Sequence, residues 1–133
     1  MQTIELKDYN IYIGDFWSRF NEFLAQRNYS KIALIVDENT ARDCLPYVLE
    51  KADNQSFTII EIPAGEQHKT IQTCQSIWQK MMERGLERGS LTINLGGGVI
   101  GDMGGFCAST FKRGMDFVQM PTTLLSQVDA SIG

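Results

Sequence analysis

The string Gly96-Gly97-Gly98-Val99-Ile100-Gly101-Asp102 narrows the possible folds more than any other feature: it follows the apolar run 91–95 and opens a helical segment, 103–109. Three residues without Cβ between a strand and a helix let backbone approach a bound group closely. The amides of the helix start, backed by its dipole, suit an anion such as a pyrophosphate. The string fits G-x-G-x-x-G at Gly96, Gly98 and Gly101, a pattern short enough to arise by chance in a glycine-rich loop. An empty strand-to-helix turn would account for one or two of these glycines, but not for three plus Gly101.

Around this turn, strand and helix patterns alternate. Residues 3–6 and 10–13 alternate in polarity, which predicts a short antiparallel strand pair at the amino terminus. Phe16, Phe20, Phe23 and Leu24 recur at helical spacing and predict an amphipathic helix over 16–27. Residues 32–36 are continuously apolar, as in a parallel strand buried on both faces. A helix over 41–51 is expected next, with Pro46 tolerated only near its start. A strand over 56–62 follows, and Pro63-Ala64-Gly65 interrupts the chain. Ile71, Cys74, Ile77, Trp78, Met81 and Met82 then mark a helix ending near Gly85. A strand over 90–95, the glycine turn, a helix over 99–109, a strand over 116–120 and a last helix opened by Thr122-Thr123 complete the series. Such alternation predicts a Rossmann-like α/β fold, one parallel sheet flanked by helices, in a single domain of 133 residues.

Composition narrows function by exclusion. Hydrophobic residues at 43% and charged residues at 21% exclude a disordered tail or a coiled coil. A formal charge of −4 with scattered basic residues argues against nucleic acid as a partner. Only Lys112-Arg113 forms a basic pair, enough for one small phosphate. No apolar run reaches the length of a membrane span, and residues 1–7 have neither the basic flank nor the apolar centre of a signal peptide, so a cytoplasmic location is expected. Cys44, Cys74 and Cys107 are odd in number and widely spaced, so reduced core thiols are expected. His68, the single histidine, is expected to be exposed, and no metal site is expected in this sequence.

In a parallel sheet the loops leaving the carboxyl ends of the strands gather on one edge, where ligands bind. Asp37, Glu66, residues 96–102 and Thr122-Thr123 all fall in such loops, which predicts a nucleotide crevice. Asp116 has the spacing of a ribose-binding acid, about 20 residues past the glycines, but it begins its strand instead of ending it. Asp37 closes its strand and suits either the ribose or the cap of the next helix. Glu66 and Lys69 have the spacing of an exposed helical pair, Asp102 that of a first-turn carboxylate, and Thr122 and Thr123 that of N-cap residues. Arg113 beside Gly114 suggests a turn presenting the guanidinium outward.

Residues 96–102, taken with Phe106, Arg113-Gly114 and the run 121–131, resemble the 3-dehydroquinate synthases. Residues 36–40 and 63–70 resemble that family's cofactor-binding stretches. The resemblance implies NAD as cofactor, with Asp37 and Asn39 at its adenosine end and Asp102 on its nicotinamide side. It implies further cofactor contacts from Glu66, Gln67, Lys69, Gly97, Gly98, Val99, Ile100, Gly101, Thr122 and Thr123. Arg113 is implied for the substrate phosphate, reaching across the subunit boundary of a homodimer, and Asp129 for the vicinity of the substrate.

The implied activity is a lyase reaction of the shikimate pathway, converting a seven-carbon sugar acid phosphate, 3-deoxy-D-arabino-heptulosonate 7-phosphate, to 3-dehydroquinate and phosphate. The family also uses a divalent metal, zinc or cobalt, held by one glutamate and two histidines in a second, mostly helical domain. The resemblance therefore implies that residues 1–133 are an NAD-binding domain, inactive alone, with the metal ligands beyond residue 133. Other sugar-phosphate cyclases and metal-dependent polyol dehydrogenases share the glycine loop, and a non-catalytic nucleotide-binding fragment is the alternative of a different class.

Overall fold

The computed structural model describes residues 2–5, 7, 10–14, 16–52 and 56–122. Strand β1 (Gln2–Glu5) pairs antiparallel with β2 (Asn10–Ile13), Gln2 opposite Ile13, as the alternating pattern predicts. Helix α1 (Trp17–Arg27) leads into four parallel strands, β3 (Ile32–Asp37), β4 (Phe57–Ile62), β5 (Leu91–Gly96) and β6 (Asp116–Pro121), which lie in the order β4-β3-β5-β6. Helices α2 (Glu38–Asp43) and α3 (Leu45–Lys51) connect β3 to β4, α4 (Ile71–Glu83) connects β4 to β5, and α5 (Gly98–Thr110) connects β5 to β6. The fold is the expected Rossmann-like α/β sheet flanked by helices. The last expected helix, with Thr123 at its start, lies outside the described residues.

The two central strands carry the most continuous apolar sequence because helices cover both of their faces. On one face Ala33, Ile35, Ile60 and Ile62 pack with Cys74, Ile77 and Met81 of α4 and with Ile100, Met103 and Cys107 of α5. On the other, Leu34, Val36, Leu91, Ile93 and Leu95 meet Phe20 and Leu24 of α1 and Val48 of α3. Cys74 and Cys107 are buried free thiols and Cys44 is half-buried; burial pushes the Cys107 thiol far above its ordinary range.

One expectation needs correction. The single helix over 41–51 is two helices: α2 begins earlier, at Glu38, and the chain breaks at Cys44 so that Pro46 falls in the first turn of α3. Proline has no N–H to give the preceding turn, and its ring would strike the carbonyl four residues back, so a helix kinks or breaks there unless the proline falls in its first turn. In α4 only Cys74, Ile77 and Met81 are buried, whereas Ile71 and Met82 are 53% and 65% exposed. The helix stops in a Schellman closure: Leu86 N–H donates to the Met81 carbonyl and Gly85 N–H to that of Met82, with Gly85 at φ 76°.

Candidate nucleotide-binding site

Strands β3, β4, β5 and β6 all run the same way, so Asp37, Ile62, Gly96 and Pro121 end on one edge of the sheet. The chain adds β4 to one side of β3 and β5 to the other, with the crossing helices α3 and α4 on opposite faces. The ends of β3 and β5 therefore bound the crevice of a topological switch point, the position where open α/β sheets bind ligands.

At the end of β3, Asp37 caps α2. Its Oδ1 accepts the amides of Asn39 at 2.8 Å and Thr40 at 2.9 Å, and Thr40 Oγ1 accepts the Asp37 amide at 3.0 Å. This reciprocal box fixes the carboxylate at the crevice mouth. Glu38 reaches further, its Oε2 accepting the Ala64 amide at 2.9 Å and clamping the loop after β4 to the start of α2. That loop turns at Gly65, whose φ of 112° excludes most side chains, and continues into a 3-10 turn over Glu66–His68. His68 is half-buried, not exposed as expected, because the segment closes into this turn instead of an open loop.

The same turn delivers Lys69 to α5. Its Nζ lies 2.6 Å from Asp102 Oδ2 and 3.8 Å from Glu66 Oε1. Because α5 begins at Gly98, Asp102 stands in its second turn, past the amides of the helix start. The expected first-turn carboxylate is thus held by a lysine from another loop, since the dipole's reach ends within the first turn.

The glycines divide the work between packing and space. A Cβ on Gly96 would collide with the Ile100 side chain, so that glycine lets α5 fold back onto β5. Gly97 is the N-cap and offers no side-chain cap; the Gly101 amide is already bonded to the Gly97 carbonyl at 3.0 Å, whereas those of Gly98, Val99 and Ile100 precede the first helical bond. A Cβ on Gly98 would meet no atom within 4 Å. Position 98 thus faces open space at the start of α5, where three amides have no helical partner. Thr122 joins this edge through its amide, which donates to the Gly96 carbonyl at 3.0 Å.

Arg113 is not brought to this edge. It is exposed in a tight turn after α5, with Lys112, Arg113 and Gly114 at φ 46°, 71° and 106°, and α5 has by then carried the chain back to the strands' amino ends. Asp116 starts β6 opposite Leu91 on that far edge and accepts the Tyr29 hydroxyl at 2.8 Å. An open hollow of about 580 Å³ beside it is lined by Arg88, Gly89, Ser109, Gly114, Met115 and Asp116. Thr123 and Asp129 lie outside the described residues. Sequence reasoning missed the Glu38 clamp and the Lys69–Asp102 pair, which no local pattern announces. It also passed over Asn94 and Gln119 beneath α5, although a polar residue inside the apolar run 91–95 is a visible signal.

The 3-dehydroquinate synthase N-terminal family model matches residues 59–133. The chain is 43% identical over its whole length to a 3-dehydroquinate synthase from a Nitratiruptor species, covering 36% of that protein. It is 41% identical over 99% of its length to one from Halorhodospira halophila, covering 37% of it. It thus spans little more than a third of these relatives. Among solved structures, a 2-deoxy-scyllo-inosose synthase superposes with a TM-score of 0.82 over 97% of this chain and 38% of that one, at 20% identity. A 2-epi-5-epi-valiolone synthase from Streptomyces hygroscopicus subsp. jinggangensis 5008, with NAD+ and Zn2+ bound, superposes with a TM-score of 0.71 over 98% of this chain and 37% of that one, at 24% identity. These structures share the fold; the family model and the sequence identities go further, and by them the chain belongs to the 3-dehydroquinate synthase family.

Proposed function

We propose that this chain is the NAD-binding part of a 3-dehydroquinate synthase, which converts 3-deoxy-D-arabino-heptulosonate 7-phosphate to 3-dehydroquinate and phosphate in the cytoplasm. The observation that carries the reading is Gly98, where a missing side chain leaves open space at a helix start without a side-chain cap. A pyrophosphate fits there. Gly97, Gly98, Val99, Ile100 and Gly101 cradle it, Asp37 and Asn39 hold the ribose across the switch-point crevice, and Glu66, Gln67, Lys69, Asp102, Thr122 and Thr123 complete the contacts. NAD, when bound, supplies a transient hydride acceptor that lets phosphate leave from a neighbouring position without net oxidation.

Among the described residues no group of three His, Cys, Asp or Glu could hold a metal ion. On this reading the family's divalent metal is held by a glutamate and two histidines that are not among these residues, which by themselves turn over no substrate. No helix among the described residues is long and apolar enough to cross a membrane. Arg113, on the far edge, serves the phosphate of substrate bound to the other subunit of a homodimer, and the family resemblance assigns Asp129 to the substrate.

Phosphate release by the whole protein, followed with and without NAD, tests the assignment. Release should require NAD, and Gly98→Val should abolish both binding and turnover while leaving the far-UV dichroism unchanged. Arg113→Ala should spare NAD affinity and cost about 2 kcal/mol in substrate use, the loss of one charge-assisted contact. Net NADH formation from a polyol without phosphate release would instead identify a dehydrogenase.

A further inference from the structure

We propose that Gln119 and Asn94 form a carboxamide shelf that sets the height and rotation of α5, making Gln119 a positioning residue for the phosphate-binding turn; this rests on the NAD reading above. The two residues are register partners on β6 and β5, on the sheet face that carries α5. Gln119 Nε2 donates to the Gly101 carbonyl at 3.1 Å. The ordinary helical partner of that carbonyl is the amide of residue 105, and its second lone pair accepts Gln119.

A Cβ on Gly105 would stand 3.3 Å from Gln119 Nε2, a crowded contact that the carboxamide would have to relieve by a shift of a few tenths of an ångström. One residue earlier, a Cβ on Gly104 would collide with the Asn94 carboxamide. Asn94 is only 1% exposed, and neither its Oδ1 nor its Nδ2 has a partner among the described residues. A buried carboxamide without partners is a cost that a leucine at this position would not carry. Its place under Gly104 fixes how closely α5 approaches the sheet. Gln119, gripping the carbonyl immediately after Ile100, fixes the rotation of the helix and hence the direction of the amides at 98–100.

The test is NAD titration of the whole protein and of Gln119→Leu, Gly105→Ala and their double variant, with hydrogen exchange along α5. Gln119→Leu should weaken NAD about tenfold, the effect of one lost hydrogen bond, and speed exchange at residues 101–105 without changing it in α4, whereas Gly105→Ala, which only crowds the same bond, should weaken NAD less. The double variant should bind no more weakly than Gln119→Leu, because both substitutions act on the same contact. Gln119→Glu can donate only when protonated, so its affinity should recover on acidification relative to the unaltered protein. Gln119→Leu with parental affinity and parental exchange would overturn the positioning role, as would additive losses in the double variant. Should Gln119→Leu not fold, the acidification arm decides alone, and Gln119→Glu with parental affinity at every pH would overturn the role. Failure of the unaltered protein to bind NAD would overturn the nucleotide reading itself.

Discussion

Asp37 shows how one carboxylate can serve both architecture and recognition. Its Oδ1 is committed to the cap of α2, while Oδ2 makes no hydrogen bond among the described residues. A negative charge fixed at the crevice mouth favours ribose hydroxyls and repels a 2′-phosphate. Arg42, the nearest arginine in sequence, offers no relief, because its guanidinium is paired with Asp43 through two contacts of 2.8 Å. Calorimetry should therefore find NAD preferred over NADP, with the preference reduced in Asp37→Asn. Equal or tighter NADP binding by the unaltered protein would remove Asp37 from the ribose. The sequence left capping and ribose binding open as alternatives; the structure has the cap, and the two roles are compatible because they use different oxygens.

At the scale of elements, α5 carries the most information. The glycines in it and just before it look alike in sequence and differ in what surrounds them: Gly96, at the end of β5, clears Ile100, Gly104 clears Asn94, and Gly98 clears nothing. Gly104→Ala should thus destabilise the protein by about 1–3 kcal/mol, since overpacking a buried carboxamide outweighs the gain of about 1 kcal/mol in helix propensity. Gly98→Ala, facing open space, should leave the melting temperature nearly unchanged. Thermal unfolding of the two variants decides it, and equal effects would contradict the division. Elements with long apolar runs, β3 and β5, were legible because burial on both faces leaves a continuous signature. The break at Cys44 was only half legible: Pro46 announced a constraint, but the cap that starts α2 at Glu38 depends on which way the Asp37 side chain turns. Lys69 and Asp102, 33 residues apart in sequence, meet only because β4 and β5 flank β3, and spacing along the chain cannot report that.

Across the whole molecule, the sheet separates two edges. The carboxyl edge holds the candidate nucleotide loops, and the amino edge holds Tyr29, Asp116 and Arg113. Burial, then the hydrogen bond to Asp116 and its charge, push the Tyr29 hydroxyl from 10.0 up to about 12. The folded protein keeps a proton that the unfolded chain releases, so this contribution to stability is complete below pH 10 and is lost as the pH climbs through about 12. Denaturant midpoints should fall more steeply over that window in the unaltered protein than in Tyr29→Phe; parallel curves would contradict the assignment. Parallel topology was legible from alternation alone, but strand order was not, because β4 and β5 could have been added on the same side of β3. The loops at the strand ends already announced a nucleotide crevice, but the switch point that sets it between the ends of β3 and β5 became visible only in the folded sheet. The measurement that tests this account most directly is a map of backbone amide shifts in the whole protein on adding NAD. The largest changes should fall at residues 37–39, 66–69 and 97–102, whereas changes centred on Arg88, Ser109 and Gly114 at the opposite edge, or none at all, would contradict it.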